Sequence, residues 1–246
     1  MWPDSANKFN TIPDPDKWVV DNDSAYFHYC DNETIHGVEF PEFPYDKVGD
    51  LTLVCDMSSN FCSRPINWEK YGVVYAGAQK NVGPAGVTVA VIRDDLIGHH
   101  RPDTPVMCDW KTFLNAPNTF HNTPVCWSIY VCGLNIAHMK KNGIQHYVDL
   151  AEKRSKMLYD YIDSSSDYYS NPVDPRYRSR MNIPFRVKKD DALETKFLKE
   201  AAEAGLIELK GHRSVGGCRA SCYNAMPIEG VEALINFMKK FRDENP

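Results

Sequence analysis

The chain has 246 residues, of which 43% are hydrophobic and 25% charged, and a formal net charge of −5. It is long enough to bury a full core, and its acidic balance gives no general attraction to nucleic acid or to a membrane surface. No apolar run approaches membrane-spanning length, and the start, Met1-Trp2-Pro3-Asp4, lacks the basic and apolar regions of a signal peptide, so a soluble cytoplasmic protein is expected.

In chain order, residues 1–24 are polar, with Pro3, Pro13 and Pro15, and read as a surface segment. Residues 25–30 form the first strand candidate, and 31–37 a polar turn of the kind that carries ligand groups in α/β proteins. Residues 51–55 read as a second strand ending at Asp56. A carboxylate there serves either as a cap for the next segment or as a charge set against a ligand.

The central stretch is Y-A-G-A-Q-K-N-V-G-P-A-G at 75–86. A buried strand at 73–75 leads into small residues, then Gln79 and Lys80, then a Gly/Pro turn, with another strand at 87–92. A lysine between two buried strands, approachable through small residues, fits an imine-forming nucleophile. A surface lysine in a strand-to-strand turn fits the same letters.

Residues 101–117 look irregular. A helix then runs to about residue 139, Gly143 breaks it, and a second helix spans 144–162. Beyond it the pattern alternates: strand 182–187, helix 192–204, short strand 206–209, strand 218–223 and an amphipathic helix 228–241. A boundary near residue 160 divides the chain into 1–160, part of a large α/β domain with a mainly parallel sheet, and 161–246, a small α+β domain. The eight cysteines (30, 55, 62, 108, 126, 132, 218, 222) form no C-x-x-C pair and read as reduced, buried thiols. No metal site is expected.

Two sets of residues carry chemistry. If Lys80 forms an imine, an aldehyde cofactor acting as an electron sink is implied. Pyridoxal phosphate is that cofactor, with Asp56 placed for its ring nitrogen, Thr34 for its ring hydroxyl and Gln79 for its phosphate. The second set, His212, Arg213 and Arg219 in G-H-R-S-V-G-G-C-R, makes either a compact receptor for a doubly anionic substrate or a solvated basic turn.

These segments resemble the phosphoserine aminotransferases, fold-type I enzymes of the class-V group that use pyridoxal 5'-phosphate. The matching runs are N-E-T-I-H-G-V-E-F (32–40), C-D-M-S-S-N-F (55–61), Y-G-V-V-Y-A-G-A-Q-K-N-V-G-P-A-G (71–86), H-N-T-P (121–124), R-S-R-M-N-I-P-F (178–185) and K-G-H-R-S-V-G-G-C-R-A-S-C-Y-N-A-M (210–226). The resemblance implies that Lys80 holds the cofactor and moves the proton at the substrate α-carbon. Asp56 pairs with the ring nitrogen, and Thr34 and Gln79 contact the cofactor. Asn122 and Thr123 reach the cofactor phosphate of a neighbouring subunit in a homodimer with shared active sites. His212, Arg213 and Arg219 bind substrate anions, Arg219 the α-carboxylate. The implied reaction interconverts O-phosphoserine and 2-oxoglutarate with 3-phosphohydroxypyruvate and glutamate, in L-serine biosynthesis.

By the same resemblance, a segment upstream of Met1 is expected to be missing. It would carry a Gly-rich phosphate turn, a tryptophan stacked on the ring and a histidine–arginine pair. Trp2, Trp18 and Trp68 lie in the wrong contexts to replace that tryptophan. An inactive short form that only partners a longer subunit is the alternative expectation. Cysteine desulfuration or serine–glyoxylate transamination on the same fold is disfavoured, because neither needs the second-anion receptor.

Overall fold

The computed structural model describes residues 9–166 and 168–246. The expected surface segment is thus seen only from Phe9 onward; Trp2 and Pro3 lie outside the described residues. The first strand, β1 (Phe27–Cys30), is followed at once by a short antiparallel hairpin of β2 (Asn32–Glu33) and β3 (Val38–Glu39). Then come β4 (Leu53–Asp56), β5 (Tyr71–Gly77) and β6 (Thr88–Ile92). Strands β1, β4, β5 and β6 form one sheet in that order, with β4 parallel to both β1 and β5 and β6 antiparallel to β5.

The register places Cys30, Asp56 and Tyr75 side by side on the three parallel strands. The loops that leave those strands therefore gather along one edge, where open α/β sheets hold their ligands. Alternation along the strands sorts the side chains. Tyr29, Leu53, Cys55 and Val74 turn into a core with Phe43, Val48, Met57 and Tyr71. His28, Cys30, Asp56 and Tyr75 share the opposite, more open face.

Three helices follow: α1 (Trp110–Leu114), α2 (Cys126–Asn142) and α3 (Ile144–Asp163). Helix α2 fixes the lysine-bearing turn through Ser128, Cys132 and Asn135, whose spacing of four and three puts them on one helical face. Ser128 Oγ donates to the Ala85 carbonyl at 2.9 Å, and Asn135 Nδ2 donates to the carbonyls of Asn81 and Val82 at 2.9 and 2.8 Å. Cys132 packs against Ala78 and Val82. Gly83 is needed here, because a Cβ on it would lie 2.6 Å from Cys132 Sγ.

The remaining chain builds a second core. Strands β7 (Tyr169–Ser170), β8 (Asn182–Val187) and β9 (Cys218–Ser221) form an antiparallel sheet with β8 in the middle. Helices α3, α4 (Asp191–Glu203) and α5 (Ile228–Glu244) supply Leu158, Ile162, Phe197, Leu234, Met238 and Phe241 to its core. In α5 the apolar positions 231, 234, 235, 238 and 241 recur at helical spacing, so one stripe is buried. Each buried Leu, Met or Phe of this kind contributes about 1.5–3 kcal/mol. The Asp190 carboxylate caps α4 by accepting from the Ala192 and Leu193 amides at 2.8 and 3.0 Å.

Several expectations need correction. Residues 206–209 are not a strand: Gly205 and Glu208 have φ of 85° and 60°, which breaks an extended run, and a single bridge joins Lys210 to Cys218. The polar turn at 31–37 contains β2 and opens the β2–β3 hairpin, and the irregular segment 101–117 contains α1, capped by Asp109. Burial of the thiols is only partial. Cys55, Cys132, Cys218 and Cys222 are buried, but Cys30, Cys108 and Cys126 are exposed, and all eight are free. The division into 1–160 and 161–246 stays a proposal, and it falls inside α3, whose Leu158, Tyr159 and Ile162 belong to the second core.

Candidate active site

Lys80 follows β5 in the turn that α2 holds, and it is half-buried. Its Nζ donates to Thr34 Oγ1 at 2.9 Å, and Arg219 Nη1 donates to the Thr34 carbonyl at 3.2 Å. Thr34 thus joins the lysine turn of the first sheet to β9 of the second. Burial pushes the Lys80 ammonium below its ordinary value, Asp56 partly counters this, and the positive charge of Arg219 adds to the lowering. Asp56 ends β4, and its Oδ1 accepts from the Ser58 amide at 2.8 Å. Between the two open readings of Asp56, this turn contact shows no helix cap, since no helix starts there.

A buried polar seam holds these parts in place. Asn32, two residues before Thr34, donates from Nδ2 to Ser59 Oγ at 2.7 Å and to Asn182 Oδ1 at 2.9 Å, while Ser179 Oγ donates to Asn32 Oδ1 at 2.5 Å. Asn81, next to Lys80, accepts at Oδ1 from the Asn224 amide at 2.9 Å. Asn32, Ser179, Asn182, Asn81 and Asn224 are all buried. In such surroundings a lost partner costs about 1–3 kcal/mol, so the seam fixes one arrangement of the two sheets. Gly37 lets the β2–β3 hairpin approach β8: its φ is +74°, and a Cβ there would lie 2.4 Å from Pro184 Cδ. These asparagines were not singled out in the sequence, although each lies within a motif quoted above.

The other expected residues are placed differently. Gln79 is exposed and bends back over Gly77, where a Cβ would meet its Oε1 at 2.4 Å. Asn122 and Thr123 are exposed, with Asn122 Nδ2 donating to the Thr123 carbonyl at 3.2 Å. His212 Nδ1 accepts from the Ser214 amide at 3.3 Å and lies 2.7 Å from Ser214 Oγ, and Arg213 is exposed. Among the described residues, no hydrogen bond or ion pair joins His212 or Arg213 to Thr34, Lys80 or Arg219. The geometry therefore brings together Thr34, Lys80, Asp56 and Arg219, and leaves Gln79, Asn122, Thr123, His212 and Arg213 around or beyond them.

The donor set fits an aldehyde cofactor with an amino-acid substrate. It offers an amine lowered by burial, a neighbouring carboxylate and a guanidinium whose Nε is buried with no partner. A guanidinium that spends only Nη1 on the protein, beside a nucleophilic amine, keeps Nη2 as a donor for a carboxylate. Among the described residues, no cluster of His, Cys, Asp and Glu could hold a metal, and no helix is long and apolar enough to cross a membrane.

Because a neutral amine is the reactive form, labelling of Lys80 by an amine-directed reagent, without cofactor, should reach half its maximal rate at a pH below that of ordinary lysines. Asp56→Asn should move that midpoint further down and Arg219→Gln should move it up, following the signs of the two charges. Peptide mapping by mass spectrometry across a pH series reads this. A midpoint at the ordinary lysine value would remove the burial argument.

A mixed, mainly parallel sheet with a lysine turn at its ligand edge, joined to a small α+β unit that presents an arginine, defines a chain of the aminotransferase type. It belongs to the aminotransferase class-V family, whose model matches residues 3–234. Similar proteins within that family include phosphoserine aminotransferases. Phosphoserine aminotransferase 2, chloroplastic, of Arabidopsis thaliana is 47% identical over 243 residues, 98% of this chain and 57% of the relative. The phosphoserine aminotransferase structure from Bacillus circulans subsp. alkalophilus superposes with a TM-score of 0.93 at 39% identity, over 99% of this chain and 66% of that one. A PLP-bound phosphoserine aminotransferase from Trichomonas vaginalis gives 0.87 at 41% identity, over 94% and 64%. The chain thus spans 57–66% of the length of these relatives. The architecture is that of the fold-type I aminotransferases, as the resemblance implied.

Proposed function

We propose that this chain supplies the lysine-bearing core of a phosphoserine aminotransferase, which uses pyridoxal 5'-phosphate to interconvert O-phospho-L-serine and 2-oxoglutarate with 3-phosphohydroxypyruvate and L-glutamate in L-serine biosynthesis. The observation that carries the reading is the run from Lys80 through Thr34 to Arg219, with the Arg219 Nε buried and unpaired. The names of the relatives support the choice of reaction.

When bound, pyridoxal phosphate supplies an electron sink for charge released at the substrate α-carbon. The chain's own residues do the rest. Lys80 would hold the cofactor and, once the substrate amine has displaced it, would take the proton from the α-carbon onto its freed Nζ, a role suited to an amine that burial has lowered. Asp56 would pair with the ring nitrogen and Thr34 with the ring hydroxyl, while Gln79 would serve the cofactor phosphate. Arg219 takes the α-carboxylate as a two-pronged donor, and His212 and Arg213 take the second anion from their exposed turn.

Asn122 and Thr123 serve the cofactor phosphate of a second copy in a homodimer. Their exposure supports this, as does the neighbouring stripe on α2, where Trp127, Tyr130 and Leu134 are also exposed. A reducing compartment, the cytoplasm, suits eight free cysteines.

The test is acceptor preference. With glutamate as donor, kcat/KM for 3-phosphohydroxypyruvate should exceed that for glyoxylate by roughly 10²-fold or more, the discrimination a site with polar groups shaped for the second anion provides. Equal or better use of glyoxylate would overturn the substrate assignment.

A further inference from the structure

The open face of the first sheet carries a polar arrangement that no role above uses. His28 on β1 and Tyr75 on β5 lie on that face, with β4 between their strands. His28 Nε2 is 3.0 Å from the Tyr75 hydroxyl, and the two rings stack at 24° with centroids 6.1 Å apart. Tyr75 is in register with Asp56 on the adjacent parallel strand, and their side chains project from the same face. Adjacent strands lie roughly 4.8 Å apart, and the Asp56 carboxylate raises the Tyr75 phenol both by its charge and as a hydrogen-bond partner.

We propose that His28 and Tyr75 are positioning residues that act through Asp56: Tyr75 donates its hydroxyl proton to the Asp56 carboxylate, and His28 donates from Nε2–H to the Tyr75 oxygen. This rests on the assignment of Asp56 to the cofactor ring nitrogen.

A phenol has one proton to give, and a carboxylate is a stronger acceptor than a neutral imidazole nitrogen. The proton therefore goes to Asp56, and the phenol oxygen is left to accept from His28. Burial first, and then the Asp56 charge, push the Tyr75 phenol up from its ordinary value, which keeps that proton in place. The chain of donors holds one carboxylate rotamer, and it fixes His28 as the Nε2–H tautomer. Neither residue touches substrate in this scheme. Their effect is on how firmly Asp56 meets the ring.

Two measurements test the relay. In the cofactor-free protein, ¹⁵N NMR of labelled histidine should show His28 protonated at Nε2, and Tyr75→Phe should perturb its resonances. The Nδ1–H tautomer would overturn the donor order without touching the cofactor reading. In the protein loaded with pyridoxal phosphate ¹⁵N-labelled at the ring nitrogen, Tyr75→Phe and His28→Leu should shift the ring-nitrogen resonance toward the unprotonated range. Tyr75→Phe should also weaken cofactor binding about tenfold, the effect of one lost hydrogen bond to a charged group. His28→Gln, which keeps a donor at the Nε2 position, should restore most of the wild-type signal. An unchanged resonance and affinity in Tyr75→Phe, alongside a Lys80-dependent absorbance band, would overturn the relay alone. A wild-type protein with no Lys80-dependent band would overturn the cofactor reading, and the relay with it. His28 is exposed, so His28→Leu remains informative if Tyr75→Phe fails to fold.

Discussion

Lys80→Ala should abolish the absorbance band that appears when pyridoxal phosphate is added, and transamination should fall by at least 10²–10⁴-fold, roughly the share of proton transfer alone. The fold should survive. Lys80 is half-buried, and its recorded partner, Thr34 Oγ1, lies in a half-buried loop where water can replace the lost donor. The thermal midpoint should therefore move by only a few degrees, on the scale of about 1 kcal/mol. Lys80→Arg sharpens the test, since it keeps the charge and the donors but cannot lose its proton in a protein. It should be as inactive as the alanine variant. Two measurements suffice, an absorbance titration with cofactor and a coupled transaminase assay. Turnover within tenfold of wild type in either variant would remove Lys80 from the chemistry and leave it as a turn residue.

The sequence disclosed this fold unevenly, for identifiable reasons. Strand 182–187 and the helices α3, α4 and α5 were legible because burial on one face stamps a period onto the letters. The same logic misled at 206–209, where L-I-E-L imitates alternation but positive φ at Gly205 and Glu208 prevents pairing. Strands of two residues such as β2, β3 and β7 leave too few letters to show a period. Exposure of Cys30 and Cys126 was invisible too, because an apolar run says nothing of which side of an element is covered.

For the site, local reading reached Lys80, Asp56 and the His212–Arg213–Arg219 turn as candidates and left each between two readings. Their company is set by tertiary structure. Thr34 lies 46 residues from Lys80 and 185 from Arg219, so no window of sequence contains the contact. The resemblance grouped these residues, and the polar seam of Asn32, Asn81, Asn182 and Asn224 supplies the physical reason they meet. The Tyr75–His28 pair was missed because each letter reads as an ordinary strand residue. Only the register of β4 and β5 sets Tyr75 beside Asp56, and only the folded sheet brings His28 to the Tyr75 hydroxyl.

Arg219→Leu should raise KM for glutamate and for 2-oxoglutarate about 10²-fold while leaving the Lys80-dependent band in place. The argument starts from the guanidinium's unequal use. Nη1 is spent on the Thr34 carbonyl at 3.2 Å, whereas Nε is buried with no partner. Nη2 is not among the fully buried atoms and makes no hydrogen bond to the described residues, so it is the donor a carboxylate reaches, through a charge-assisted bond worth roughly 1.5–3 kcal/mol. Loss of about 3 kcal/mol in carboxylate binding corresponds to roughly 10²-fold in affinity. Arg219→Lys should recover only part of this, because an ammonium offers a point charge without the planar fork. The Thr34 contact supplies the competing explanation, in which Arg219 matters only by holding the loop against Lys80. That explanation predicts loss of the band and a fall in kcat together. The receptor reading predicts a rise in KM with kcat and the band nearly unchanged. Steady-state kinetics and the absorbance spectrum of the two variants separate the cases, and a band lost in Arg219→Leu would move the residue from substrate receptor to loop anchor.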